Sequence, residues 1–199
     1  FNQFDIIPKF CFNCFKVQIE PKNIMELIKL SFIFDSFNFP NNNWRKCMIE
    51  LRPDVSGTYK GLIYCASMDE ARDVFSILSP YIQKFIKNDL HIAIKRGCTE
   101  FDLAFPGYKD TSNLDKVSFN NEWEQFEKIT DIEIKNGSKK GKKVFNRTLS
   151  GTCIGDVLIM NNWLNYAKLI GDETYNDISN EMFNSQYIYN IVKKRDTKN

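Results

Sequence analysis

Between Phe10 and Glu20 apolar and polar residues alternate, with Phe15, Val17 and Ile19 on one side and Lys16, Gln18 and Glu20 on the other. A period of two is that of a half-buried β-strand. Pro21 closes the run. Asn23 followed by Glu26 has the form of a capping box, and Ile24, Leu27 and Ile28 follow at helical spacing, which predicts a helix. Pro40 and the run Asn41-Asn42-Asn43 end it. Alternation returns over Cys47–Arg52 and again over Thr58–Ala66, with Pro53 to Gly57 as the turn of a hairpin. Ser67 and Glu70 form a second capping box ahead of Ala71, Val74, Phe75 and Leu78. Pro80 predicts a break or kink, with Tyr81–Lys87 as a second helical piece. Leu90–Thr99 reads as a fourth strand, with Ile92 and Ile94 on one face.

The pattern changes after Phe105, where Pro106-Gly107 marks a boundary. Asn121 with Glu124 predicts a helix start carrying Trp123, Phe126 and Ile129. Lys135–Lys143 is rich in Gly and Lys and reads as a mobile basic loop. Ile154–Ile170 has helical spacing and stops at Gly171, and Ser185–Lys194 reads as a short final helix.

The element order is therefore β-α-β-β-α-β followed by helices. It matches the ferredoxin-like split βαβ arrangement. The fold class expected is α+β: a ferredoxin-like βαββαβ antiparallel sheet over residues 1–105, with a mainly helical C-terminal extension over 106–199 packed on it and a basic loop at 135–143. Right-handed crossovers place the strands in the order fourth, first, third, second.

That topology gives the scattered cysteines a meaning. Cys11, Cys14, Cys47, Cys65 and Cys98, five of six in the chain, map to one end of the sheet. Cys11, Cys65 and Cys98 fall on adjacent strands, and Cys11-Phe12-Asn13-Cys14 has the C-x-x-C spacing of a metal-binding knuckle. The candidate metal set is Cys11, Cys14, Cys65 and Cys98, with Zn²⁺ or an iron–sulfur cluster as the group such thiolates hold. A plainer reading stands beside it. Cys11, Cys47 and Cys98 share parity with apolar helix-facing positions, and free cysteine packs as a small hydrophobe. Arg45, Lys46, Lys95 and Arg96 fall at the same end and form a candidate anion site, which would also favour thiolate. His91 lies at the opposite end of its strand from Cys98, so a Cys–His catalytic pair is not expected.

Composition narrows the classes. Apolar residues make up 43% of 199, enough for a core, and a net charge of +2 does not by itself imply nucleic acid or membrane. No stretch approaches the ~20 apolar residues of a membrane span. No export signal opens the chain, so a cytoplasmic protein with reduced thiols is expected. The first residue is not Met, which leaves room for an upstream domain. No phosphate-binding loop, dinucleotide fingerprint or H-E-x-x-H occurs.

Lys60-Gly61-Leu62-Ile63-Tyr64-Cys65-Ala66, followed by Met68-Asp69-Glu70-Ala71, resembles the RNP1 strand and second helix of RNA-recognition motifs. Leu62 and Ser67 stand where the family has stacking aromatics. The resemblance covers about a dozen residues and implies RNA as a partner. Three functions follow: a ligand-binding protein using the cysteine-rich basic end for a metal or an anionic small molecule, an RNA-binding module, or an interaction domain with structural cysteines.

Overall fold

The structure, a computed structural model, describes residues 5–53, 55–137, 153–178 and 193–194. Four strands, β1 (Phe15–Glu20), β2 (Arg45–Ile49), β3 (Tyr59–Cys65) and β4 (His91–Arg96), form one sheet in the order β2-β3-β1-β4. All three pairings are antiparallel. Read from β4, this is the strand order that the alternation and the crossover rule predict.

Helices α1 (Ile24–Ser36) and α2 (Met68–Phe85) cover one face. Phe15, Val17 and Ile19 of β1 and Ile63 and Cys65 of β3 join Leu30, Ile33 and Phe34 of α1 and Val74, Leu78 and Ile82 of α2 in the principal core. Both helices begin as their sequences require. Asn23 accepts the Glu26 N–H at 2.9 Å, and Ser67 Oγ accepts the Glu70 N–H at 3.1 Å.

Several boundaries differ from the sequence pattern. Residues Lys9–Asn13 form a 3-10 helix instead of the first half of a strand, because Cys11 N–H bonds back to the Pro8 carbonyl at 2.9 Å. Pro80 does not divide α2. Ala71, Val74, Leu78 and Ile82 stay on one buried stripe across it, and that packing offsets the ~3 kcal/mol penalty of an interior proline. Asn120, not Asn121, caps the next element, and a 3-10 turn over Asn121–Trp123 precedes α3 (Glu124–Gly137). Lys135–Gly137 therefore closes a helix, while positions 138–143 of the basic loop and 185–192 of the final helix lie outside the described residues.

The C-terminal helix α4 (Ile154–Leu169) docks beside α1 at the β2 edge of the sheet. Ile24, Leu27 and Ile28 of α1, Tyr59 of β3 and Ala167 of α4 form a second core. Asp172, just past α4, ties it down: Oδ2 accepts the Ile24 N–H and the Tyr59 O–H, both at 2.7 Å. Gly171 makes the turn into Asp172 at φ +79°, a conformation costly for residues with a β-carbon. Among the described residues no helix is long and apolar enough to cross a membrane.

Helix α1 crosses β3 at Gly61, where a β-carbon would collide with the Leu30 side chain and stand 3.0 Å from Phe34 Cζ. Both side chains are locked in the core. Gly61→Ala is expected to cost about 1–3 kcal/mol by overpacking, read as a lower urea midpoint at unchanged slope. An unshifted midpoint would show that α1 yields there.

Candidate functional site

Three cysteines lie near one another at the end of the sheet, carried by two local structures. Cys11 lies in the 3-10 helix ahead of β1, Cys14 closes that helix, and Cys98 opens the 3-10 helix Thr99–Leu103 beyond β4. The backbone holds them in place: Gly97 N–H donates to the Cys14 carbonyl at 2.9 Å, and Tyr108 O–H donates to the Cys11 carbonyl at 2.8 Å. A β-carbon at Gly97 would collide with Cys14 Sγ, so any larger residue there would displace that thiol. Below the thiols, Cys11 packs with Ile7, Phe101 and Tyr108 in a small third core, with Cys98 against its margin.

The Cys11 and Cys98 thiols stand close enough for a thiol–thiolate hydrogen bond to couple their titrations. A thiol donating to a thiolate stabilises the anion, so the pair releases its first proton easily and its second with difficulty. That bond is the largest influence on Cys98, whose pKa falls to about 7. Burial and Glu100 oppose the fall, and Lys16 assists it. Cys11 is pushed far up, first by its bond to Cys98 and then by burial. Cys14 is raised by burial and by Cys98, with Lys16 acting against both.

Lys16 is the neighbour the sequence did not single out. Its alternation marks it only as a residue on the polar face of β1, yet it is buried and Nζ donates to the Gly97 carbonyl at 3.0 Å. Burial lowers its pKa, while Glu100 and Cys98 raise it. The neighbouring buried polar groups on that face are also matched: Gln18 Nε2 donates to Glu20 Oε1 at 2.6 Å, and Lys60 Nζ lies 3.7 Å from Glu50 Oε2.

Cys65 stands apart from the trio. It is buried in the principal core, within 3.9 Å of the Ile63 carbonyl and of Asn43 Nδ2. Burial first, then Glu70 and Cys14, push its thiol up to about 12. Cys47 packs between the principal and second cores, and burial raises its pKa as well. Among the described residues no group of three or more His, Cys, Asp or Glu side chains is arranged to hold a metal ion.

The four cations of the candidate anion site do not share one rim. Arg45 Nη1 donates to the Phe37 carbonyl at 2.6 Å, and the guanidinium stacks over Phe39. Arg96 is buried, donating to the carbonyls of Phe12 and Leu114 between the rings of Phe15 and Tyr108. Lys46 and Lys95 fall on the other face, Lys46 over the Tyr64 ring and Lys95 3.4 Å from Glu20. His91 pairs with Glu20 at 3.3 Å, away from the thiols.

Beside the trio a groove of about 650 Å³ opens between the start of β2 and the end of β3. Phe10, Cys14, Trp44, Tyr64 and Cys65 are among the residues that line it. No protein-family model matches the chain, and neither does any curated protein or solved structure.

Proposed function

We propose that this is a thiol-dependent protein in which Cys11 and Cys98 form a reversible redox pair at the end of a ferredoxin-like sheet. One observation carries the reading: the two thiols, 87 positions apart by their numbers, lie close enough to couple in their titration. Fold and chemistry agree there. The Gly97 N–H on the Cys14 carbonyl and the Tyr108 hydroxyl on the Cys11 carbonyl fix the positions, and Lys16 supplies positive charge beside the developing thiolate.

The reaction is thiol–disulfide exchange with a small oxidised thiol, R–S–S–R. The thiolate of the pair attacks one sulfur of that disulfide. A mixed disulfide forms and RS⁻ leaves. The partner thiol loses its proton to solvent and attacks the protein sulfur of the mixed disulfide. A second RS⁻ leaves, and the Cys11–Cys98 disulfide remains. Two electrons pass to the small disulfide. A thiol pKa close to ambient pH is near optimal for the first attack. The free state of all six cysteines supports a reducing, cytoplasmic setting.

Reduced protein treated with iodoacetamide at pH 7 is expected to label first at Cys98, with Cys65 and Cys47 lagging at least ~10-fold, in proportion to thiolate fraction. Oxidised glutathione should yield a Cys11–Cys98 cross-linked peptide by mass spectrometry, and Cys98→Ser should abolish both results. Uniformly slow labelling without a cross-link overturns the reading. Metal analysis of anaerobically purified protein tests the Zn²⁺ or iron–sulfur alternative on the same residues. A stoichiometric metal released by Cys11→Ser would replace the redox pair with a metal site.

A further inference from the structure

The outer face of α2 carries features that neither the core nor the thiol pair uses. Ile77, Tyr81 and Phe85 recur every four residues along it and are 43%, 47% and 53% accessible. The Tyr81 ring stacks on Phe85 with centroids 6.2 Å apart. Phe37, the residue after α1, packs edge-to-face on the same ring at 4.7 Å. These side chains form one continuous apolar patch on the surface of the helix layer. They are not needed for the core, because Ala71, Val74, Leu78 and Ile82 of the same helix already supply it.

Charge is ordered along this face. Asp73 stands one turn before Ile77, and Lys84 follows Tyr81 by three residues, both exposed. Asp69, nearer the start of the helix, is taken by Arg72 at 3.2 Å. Asp73 has no ion-pair partner among the described residues. The Lys84 ammonium lies over the Phe85 ring at 5.1 Å, beside the apolar patch. Successive residues of an α-helix turn by ~100°, so Asp73, Ile77, Tyr81 and Lys84 fall within one arc of ~80°. The arc is acidic at its N-terminal end, apolar in the middle and basic at its C-terminal end.

We propose that α2 pairs with α2 of a second copy of this chain, antiparallel about a twofold axis near Ser79. The midpoint between Ile77 and Tyr81 and the midpoint between Asp73 and Lys84 lie half a residue apart, which at ~1.5 Å per residue is under ~1 Å along the helix. One axis therefore sets Ile77 against Tyr81 of the partner subunit, and Asp73 against Lys84 of the partner subunit, each contact made twice. Such a face is its own complement, the requirement of a twofold contact. Parallel pairing would set Asp73 on Asp73 and Lys84 on Lys84, and like charge opposes it. Aromatic residues are enriched in contacts of this kind. A single helix pair covers less than the ~800 Å² per partner of a standard interface, so the dimer is reversible. The contact is independent of the Cys11–Cys98 pair and survives if that pair fails.

Sedimentation velocity of the full chain, from micromolar to millimolar concentration in reducing buffer, tests the pairing. Reduction removes intermolecular disulfides as a source of dimer. The sedimentation coefficient is expected to rise with concentration from that of a monomer to that of a dimer. Ile77→Asp, at an exposed position, should keep the melting temperature and hold the chain monomeric. Asp73→Lys and Lys84→Asp should each weaken the dimer ~10-fold, since two attractive contacts become repulsive. The double variant restores opposite charge across the axis and should recover the native association. Rescue of that kind is not produced by a change confined to one chain. Monomer at every concentration overturns the proposal. So does a dimer indifferent to Ile77→Asp, or a double variant that associates no better than the single ones.

Discussion

Asp172→Ala is expected to lose about 2–4 kcal/mol of stability at neutral pH, far more than a half-exposed aspartate normally contributes. Its carboxylate fastens the C-terminal segment to two parts of the core. The buried Tyr59 O–H loses its acceptor, and the first turn of α1 loses the partner of the Ile24 N–H. An orphaned buried donor costs about 1–3 kcal/mol and a lost cap about 1 kcal/mol. The pH dependence follows from the same bonds. Burial opposes ionisation of Asp172, but hydrogen bonds from Thr174, Tyr59 and Ile24 outweigh it and hold the carboxyl below its usual range. A depressed folded pKa means stability fully present above the ordinary aspartate value near ~3.9 and lost as pH falls through the lower folded value. Urea unfolding of the native chain and the alanine variant should therefore differ most at neutral pH and converge in acid. Equal midpoints at pH 7 would show that α4 is held by its apolar contacts alone.

That link was not legible in the sequence, and the reason is physical. Asp172 follows a helix-terminating glycine and looks like any loop aspartate; its two partners are 148 and 113 positions away. Local patterns carry local information. The period of two in β1, the Asn23 and Ser67 caps and the helical stripe through Val74 and Leu78 are near-neighbour signals, and each produced its element. Strand order followed from chain connectivity and the handedness of crossovers. Pro80 does not break α2, because the burial on both sides of it outweighs the backbone rule. The alternation of β1 begins only at Phe15, and the apolar run before it, Phe10-Cys11-Phe12, belongs to a 3-10 helix.

The candidate site was half legible for a related reason. Topology alone sends Cys11, Cys14 and Cys98 to one end of the sheet, and Cys11 and Cys98 lie side by side there. The role of Lys16 is hidden by parity: it occupies the polar face of β1, where a lysine is unremarkable until its ammonium is found on the Gly97 carbonyl. Arg45 and Arg96 illustrate the converse. Each is a surface-type residue by composition, but long side chains with several donors can serve backbone carbonyls inside the fold as readily as an anion outside it.

Arg96→Ala should be the most damaging single change at the cysteine end, at about 3–5 kcal/mol. The side chain is 2% accessible and fills space between the Phe15 and Tyr108 rings, 5.0 and 5.1 Å from their centroids. Nη1 holds the Phe12 carbonyl and Nη2 the Leu114 carbonyl, so one guanidinium joins the 3-10 helix before β1 to the segment after β4. Truncation leaves a cavity, two carbonyls without that donor and two rings without their cation. Arg96→Met separates these effects. The thioether chain refills most of the volume, so the loss should shrink to about 1–3 kcal/mol, the cost of the abandoned carbonyls. The folded methionine variant then reports on function. Phe12 lies between Cys11 and Cys14, and once its carbonyl is released the 3-10 helix is free to move Cys11 away from Cys98. Without the thiol–thiol hydrogen bond, its largest acidifying influence, Cys98 should rise from about 7 toward the ordinary thiol range. Alkylation of Cys98 at pH 7 should slow several-fold, while Lys46→Ala, on the other face of the sheet, leaves that rate unchanged. An Arg96→Met chain that melts with the native protein and alkylates at the native rate would show that the turn bearing Cys11 and Cys14 holds its shape without Arg96.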